Sequence, residues 1–203
     1  MKRLLLALFV ILLLGGCSSV RLIDTQVLAI STLPANAPPM TGVRYRFERL
    51  PSQNLQAGVD QTEALAQDAL ARVGLIHDEA GATYSVLIGL GVLPYMIDSY
   101  GRPMSGYGNG YGSFMIGGGS GRWGGGSMMG LGMRFPPTTS YRHEISLILR
   151  DLRNSQVVYE TRAVHDGPWS DTRNILPALL DAALRDFPNP PAGPRTINIE
   201  IPR

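Results

Sequence analysis

The alternation of apolar and polar residues along the chain predicts most of its strands. Val43, Tyr45 and Phe47 alternate with charged residues, which is the pattern of a strand with one face in water. Further segments carry the same period of two or a similar share of apolar residues: 20–30, 84–92, 141–150, 157–164 and 196–201. The turn-forming residues 153–155 lie between two of these segments and predict a β-hairpin. The last segment is compatible with an edge strand or with an extended tail.

Two other segments repeat their apolar residues at helical spacing. The first, residues 60–73, predicts a helix that begins with a capping box of Asp60 and Glu63. Gly74 is well placed to end this helix, because glycine readily adopts the left-handed conformation found there. The second, residues 171–187, predicts a closing helix that the following prolines stop.

The order of these elements predicts an α+β fold. Each strand has one apolar face and each helix one apolar stripe, so the simplest arrangement is a two-layer sandwich. We expect a largely antiparallel sheet of about four to five strands with two helices on one face. The other face would carry charged residues: Arg44, Arg46, Glu48, Arg142, Glu144, Arg150, Glu160 and Arg162.

A glycine-rich segment interrupts this pattern. Residues 101–132 hold 14 of the 24 glycines and have no apolar period. Glycine loses the most entropy on ordering, so we expect a flexible insertion at about 98–137 between two strands. A tolerated loop without a partner is one interpretation. The other is a contact loop for lipid, peptidoglycan or a partner protein, using its aromatic residues: Tyr107, Tyr111, Phe114 and Trp123.

The first 16 residues carry an uninterrupted apolar pattern of another kind. Two basic residues precede an eleven-residue apolar run at 4–14. A membrane-spanning helix needs about 20 residues, whereas a run of this length is typical of a signal peptide. The run ends Leu14-Gly15-Gly16-Cys17, which resembles the lipobox of bacterial lipoproteins.

The lipobox resemblance implies cleavage between Gly16 and Cys17. It also implies a diacylglycerol thioether on Cys17 and an N-acyl chain on the new N-terminus. Ser18 follows the cysteine, and in Gram-negative lipoproteins a residue other than Asp there usually favours the outer membrane. The expected parts are a signal peptide (1–16), a domain (17–190) and a tail or edge strand (191–203). An uncleaved apolar start with a small buried cysteine is the alternative.

Removal of the signal peptide changes the charge of the chain. The whole sequence has 18 Lys and Arg against 16 Asp and Glu, and loss of Lys2 and Arg3 leaves 16 against 16. A neutral domain has no electrostatic footprint for nucleic acid. Cys17 is the only cysteine, so lipidation would leave neither a disulfide nor a nucleophilic thiol.

Known catalytic and ligand-binding patterns are missing from the sequence. The glycines at 117–121 lead into Arg122 without the lysine of a phosphate-binding loop. No Gly-x-Ser-x-Gly elbow is present, and three scattered histidines give no metal-ligand spacing. We therefore expect no catalytic residue, no metal, no nucleotide and no cofactor apart from the lipid.

The three histidines support one competing hypothesis. His143 shares the apolar register of its strand and is expected at the edge of the core, whereas His77 and His165 are expected in turns. A hydrolase of envelope polymers would use His77, His165 or a loop serine. It would require histidine and aspartate side chains that meet in a pocket.

Three stretches resemble the bacterial lipoproteins that carry the domain of unknown function numbered 4136. They are Tyr45-Arg46-Phe47 with the helix ending at Leu75, the segments 144–152 and 154–160, and Leu184 to Pro188. Tyr159 stands where that family often has Trp, and Ile145-Ser146 where Gly-Thr is usual. The resemblance implies a membrane-anchored setting in the envelope and brings no established activity. We expect a non-enzymatic interaction or structural module, with a peptidoglycan-binding module as the alternative.

Overall fold

A computed structural model describes residues 20–34, 40–98, 102–103, 112–114, 133–135 and 137–202. Its elements in chain order are β1 (Val20–Ser31), β2 (Arg44–Glu48), a 3-10 turn (Gln53–Leu55), α1 (Val59–Arg72), β3 (Ile76–His77), β4 (Tyr84–Ile97), β5 (Gly112–Phe114), β6 (Met133–Phe135), β7 (Thr138–Asp151), β8 (Val157–Gly167), α2 (Thr172–Ala183) and β9 (Arg195–Pro202). A seven-stranded sheet has the order β3-β2-β4-β7-β8-β1-β9, and β5 pairs with β6.

The α+β class is confirmed, but the sheet is larger than the four or five strands predicted. β3 is only two residues long, which is too short for its alternation to be recognised. β9 joins the sheet through β1, where Val20 pairs with Pro202. β2 pairs in parallel with β3 and β4, and every other strand pair of this sheet is antiparallel.

Both helices lie on one face of the sheet and contact each other. α1 packs near β3 and β4, and α2 packs over β1, β7, β8 and β9. Leu70 of α1 and Ile175, Leu179 and Leu180 of α2 are completely buried. Burial of such a side chain contributes about 1.5–3 kcal/mol, so the apolar stripe of each helix fixes which face it covers. Neither helix in the described part has the length and apolar character needed to cross a membrane.

The start of α1 differs from the prediction. Gly58, with φ +86°, precedes the helix, and no side chain caps it. Asp60 and Glu63 do not form a capping box. Both carboxylates instead bind the guanidinium of Arg49, at 2.6 and 2.5 Å. Gly74 follows the helix with φ +92°, which is the left-handed geometry predicted for it.

The strand register brings several parts of the chain to one end of the sheet. Val20 pairs with Pro202 at the start of β1, and Ile97 pairs with Thr138 where β4 and β7 meet the insertion. The register across β4, β7, β8 and β1 places these two pairs at the same level. We call this the Val20 end of the sheet. The insertion therefore leaves and re-enters the sheet at the end where β1 begins.

Candidate functional site

Most residues predicted to carry function lie outside the described part of the chain, and of Phe114 only the backbone is described. Those outside are Gly16, Cys17, Tyr107, Tyr111 and Trp123. Phe114 is the last residue of β5. The structure does place the residues to which these segments connect. Val20 lies three positions after Cys17, and Ile97 and Thr138 are the ends of the strands that flank the insertion.

Two histidines meet on the helix-covered face, close to the Val20 end. His143 of β7 pairs with His165 of β8, and His165 pairs with Thr25 of β1. Their exposed fractions are 0 %, 3 % and 0 % respectively, and the two imidazole centroids are 6.5 Å apart. The prediction that His165 lies in a turn is wrong, because β8 keeps its alternation as far as Gly167. His143 lies inside the core and not at its edge.

An aromatic and cationic stack extends from this pair. The indole of Trp169 lies parallel to the His165 ring, with centroids 6.2 Å apart and planes 8° apart. The guanidinium carbon of Arg21 is 5.5 Å from the Trp169 centroid, within the range of a cation–π contact. Arg21 also forms an ion pair of 3.6 Å with Asp171, the residue that precedes α2. The stack therefore connects β8, β1 and the start of α2.

Gly167 provides the room for the His165 ring. A Cβ atom at Gly167 would lie 2.7 Å from His165 Nε2, which is closer than real side chains approach. His165 Nδ1 is 2.9 Å from the carbonyl oxygen of Asp24. In a neutral ring this nitrogen donates its hydrogen to that carbonyl, so Nε2 is left as an acceptor. Backbone geometry on both sides thus fixes the ring.

Burial disfavours the charged form of the His143 ring. Desolvation lowers the pKa of His143, and the neighbouring His165 lowers it further, while Asp166 and Asp171 partly oppose the shift. His143 Nε2 is 3.1 Å from the hydroxyl of Thr172 at the start of α2. His143, His165 and Thr25 lie side by side on neighbouring strands. One buried polar atom of each has no hydrogen-bond partner among the described residues: Thr25 Oγ1, His143 Nδ1 and His165 Nε2.

The histidines do not form the arrangement that the hydrolase hypothesis requires. His77 lies in β3, not in a turn, and two strands separate it from β7. Asp166 faces the other side of the sheet, where it binds Arg142 at 3.0 Å. His143 therefore meets a threonine hydroxyl, but within the described residues no carboxylate binds its Nδ1. That part of the chain also brings together no group of three His, Cys, Asp or Glu suited to a metal ion.

The face opposite the helices carries the predicted charges, and several of them form ion pairs. Two of these pairs connect the neighbouring strands β7 and β8: Arg142–Asp166 at 3.0 Å and Arg162–Glu144 at 2.6 Å. A third, Arg150–Glu48 at 3.9 Å, reaches across β4 from β7 to β2. The side chains are partly exposed, and exposed pairs contribute about 1 kcal/mol or less. Because the two signs alternate, this face presents polar groups without a strong net charge.

Comparison with known proteins gives structural neighbours only. No model of a known protein family matches the chain, and no curated protein matches it. It is similar to a PelC dodecamer from Paraburkholderia phytofirmans (15% identity, 79% of this chain and 94% of that chain, TM-score 0.42). It is also similar to a PDZ domain protein from Parabacteroides distasonis (11% identity, 90% of this chain, TM-score 0.49), of which it spans 39%. The resemblance to the lipoprotein family stays a prediction.

Sequence reasoning missed most of the stack. Trp169 follows β8 in a segment without any period, so no pattern marked it. His165 could have been found, because it continues the alternation of Tyr159, Thr161 and Ala163. The pairing of His143 with His165 depends on the hairpin register, which the turn alone did not define.

Proposed function

We propose that the protein is a non-enzymatic lipoprotein of the cell envelope. Lipid on Cys17 holds its α+β domain at the periplasmic face of the outer membrane of a Gram-negative bacterium. The domain serves there as an interaction or structural module. One observation carries the proposal: β1 begins at Val20, three residues after Cys17.

The short connection makes the anchor part of the fold. Three residues span at most about 11 Å, so lipid on Cys17 lies close to the sheet. β1 is paired on both sides, with β8 and with β9. A lipid at this position therefore holds the sheet directly and not through a long linker. Each buried methylene contributes about 0.8 kcal/mol, and two or more acyl chains give stable anchoring.

The exposed face of the sheet supports the interaction role. In the described part no helix covers this face, and its ion pairs leave polar groups of both signs accessible to a partner. Ser146 lies among these pairs, opposite Gly89 of β4. A Cβ atom at Gly89 would lie 2.7 Å from Ser146 Oγ, so the Ser146 side chain occupies the space beside this glycine.

The anchor is tested by replacing its cysteine. Cys17→Ala should abolish incorporation of labelled palmitate and leave an unprocessed precursor, whereas the matched Ser19→Ala variant should label and mature normally. Ser18→Asp should move the mature protein towards the inner membrane on fractionation. Normal maturation of Cys17→Ala would contradict the anchoring proposal.

The interaction role is tested by crosslinking in cells. A photoreactive residue at Ser146 should give discrete crosslinked species, because this position lies on the uncovered face. The same residue at Gln67, an exposed position of α1, is the matched control on the helix layer. Identical crosslinking patterns from the two positions would contradict a role for the open face.

A further inference from the structure

The Val20 end of the sheet exposes apolar side chains. Val20, Leu22 and Met96 are 47 %, 45 % and 55 % exposed. Val20 and Met96 lie within one residue of the strand ends, and Leu22 lies two residues from the start of β1. Ile97, the last residue of β4, is also partly exposed. Apolar side chains thus occur on both β1 and β4, with β7 and β8 between them.

Three arginines near this end are paired with carboxylates. Arg21 pairs with Asp171, Arg142 with Asp166, and Arg102 with Asp98. Asp24 and Glu200 add negative charge on β1 and β9. Among the described residues, this end therefore has no excess of positive charge that would require an anionic surface.

We propose that the Val20 end of the sheet rests on the phospholipid surface. Val20, Leu22 and Met96 lie in the interfacial layer, and the strands stand steeply on the membrane. The inference rests on the proposed lipid anchor at Cys17. A tether of at most about 11 Å brings Val20 to the lipid headgroups. The register then brings Ile97 and Thr138 to the same level.

The chemistry at this end fits a neutral lipid surface. Exposed aliphatic side chains gain free energy in the interfacial layer, and paired charges near it need not be separated. The surface on which the Val20 end rests is a bilayer of zwitterionic phospholipid. Contact should change less than twofold when a third of the lipid is made anionic, because Arg21, Arg102 and Arg142 already have carboxylate partners.

Depth-dependent quenching tests the contact on the full lipidated protein. Met96→Cys, Leu93→Cys and Asn154→Cys are each labelled with a small thiol-reactive fluorophore, since the thioether of Cys17 does not react. The proteins are reconstituted in phosphatidylcholine vesicles with and without brominated acyl chains. Leu93 lies about 10 Å back along β4 from Met96, and Asn154 lies beyond the far end of β7, about 45 Å away.

The expected result is graded quenching, strongest at Met96, at least twofold weaker at Leu93 and absent at Asn154. Flotation of the same samples measures anchoring separately. If the protein floats while the Met96 label is quenched no more than the Asn154 label, the contact is overturned and the anchor stands. If the protein does not float, the anchor itself fails. Excimers between pyrene labels at Met96 would show a second copy covering this end, which would also overturn the inference.

A second variant separates contact from anchoring. Leu22→Asp with Met96→Asp places charges at two exposed positions, where folding should be retained; circular dichroism checks this. The variant should float like the parent but lose at least half of the quenching at a Leu93 label. Unchanged quenching in a folded variant would count against the apolar contact.

Discussion

The β7–β8 hairpin holds polar residues on both of its faces, under opposite conditions. On the helix-covered face, His143 and His165 are buried, and each has a ring nitrogen without a hydrogen-bond partner among the described residues. One residue along the same strands, Arg142 binds Asp166 on the open face, where water also reaches the pair. Charged groups cost little free energy where solvent reaches them. Where solvent is excluded, even a neutral polar group without a hydrogen bond lowers stability. The hairpin register, and not the residue type, decides the energetic role of each side chain.

The largest difference between the two faces should appear in an adjacent pair of aliphatic residues. Leu147 faces the helices and is 1 % exposed, whereas Ile148 lies on the open face and is partly exposed. Leu147→Ala should lower the free energy of unfolding by about 3 kcal/mol, because it leaves a cavity in the core. Ile148→Ala should cost about 1 kcal/mol or less. Urea denaturation followed by circular dichroism measures both, and equal losses would refute the contrast.

A smaller, pH-dependent effect should come from the buried His143. The pKa of His143 is lower in the folded protein than its ordinary value of about 6.5, so below that pH the unfolded chain binds the extra proton. Above about pH 6.5 neither state binds this proton, and the free energy of unfolding is unaffected. As the pH falls below that value, protonation of the unfolded chain lowers the free energy of unfolding. The urea midpoint should therefore be lower at pH 5 than at pH 7.5.

Single variants test whether His143 causes this fall in the urea midpoint. His143→Leu should show a smaller fall in the urea midpoint, and the matched His77→Asn, which lies away from the pair, should keep the fall of the parent. Asp78 and Asp151 also have lowered pKa values, through hydrogen bonds, but they lose their contribution only below about pH 4. A parent protein with the same midpoint at pH 5 and pH 7.5 would contradict the role given to His143.

The smallest effect should come from the open face. Glu144 and Arg162 lie 2.6 Å apart with partly exposed side chains. A double-mutant cycle with Glu144→Ala and Arg162→Ala should give a coupling of at most about 1 kcal/mol. The coupling should shrink further in 0.5 M salt, because exposed charges are screened. A coupling above about 2 kcal/mol would mean that this pair is not a simple surface contact.

Local patterns predicted the elements better than their partners. The alternation in β7 and β8 and the apolar stripe of α1 come from residues that contact the core directly, so their periods appear in the sequence. β3 is too short to show a period, and β4 continues to Ile97, beyond its predicted end. The capping box at Asp60 and Glu63 failed for another reason. Both carboxylates bind Arg49, a residue outside the helix that no local pattern identifies.

The candidate site was less predictable than the fold. Arg21, His143 and Trp169 come from three separate segments, and only the assembled sheet and the start of α2 bring them together. The predicted signal peptide and lipidated Cys17 are the opposite case, since the predicted processing signal is a continuous stretch of sequence. A processing signal can be recognised from consecutive residues, whereas a cluster of side chains from several strands depends on the strand register.

The position of β1 in the sheet affects how the chain can fold during synthesis. β1 is the first of the described strands to be made, but both of its partners come much later, β8 at Val157–Gly167 and β9 at Arg195–Pro202. Because a chain emerges N-terminus first, β1 stays without a partner until nearly all of the protein has been produced. Its inward residues Ile23 and Val27, which are buried in the folded domain, lack their packing partners during that interval. Among the described strands, the one nearest the proposed anchor is thus the first to emerge and one of the last to be paired, which leaves its apolar face open to wrong contacts for most of synthesis.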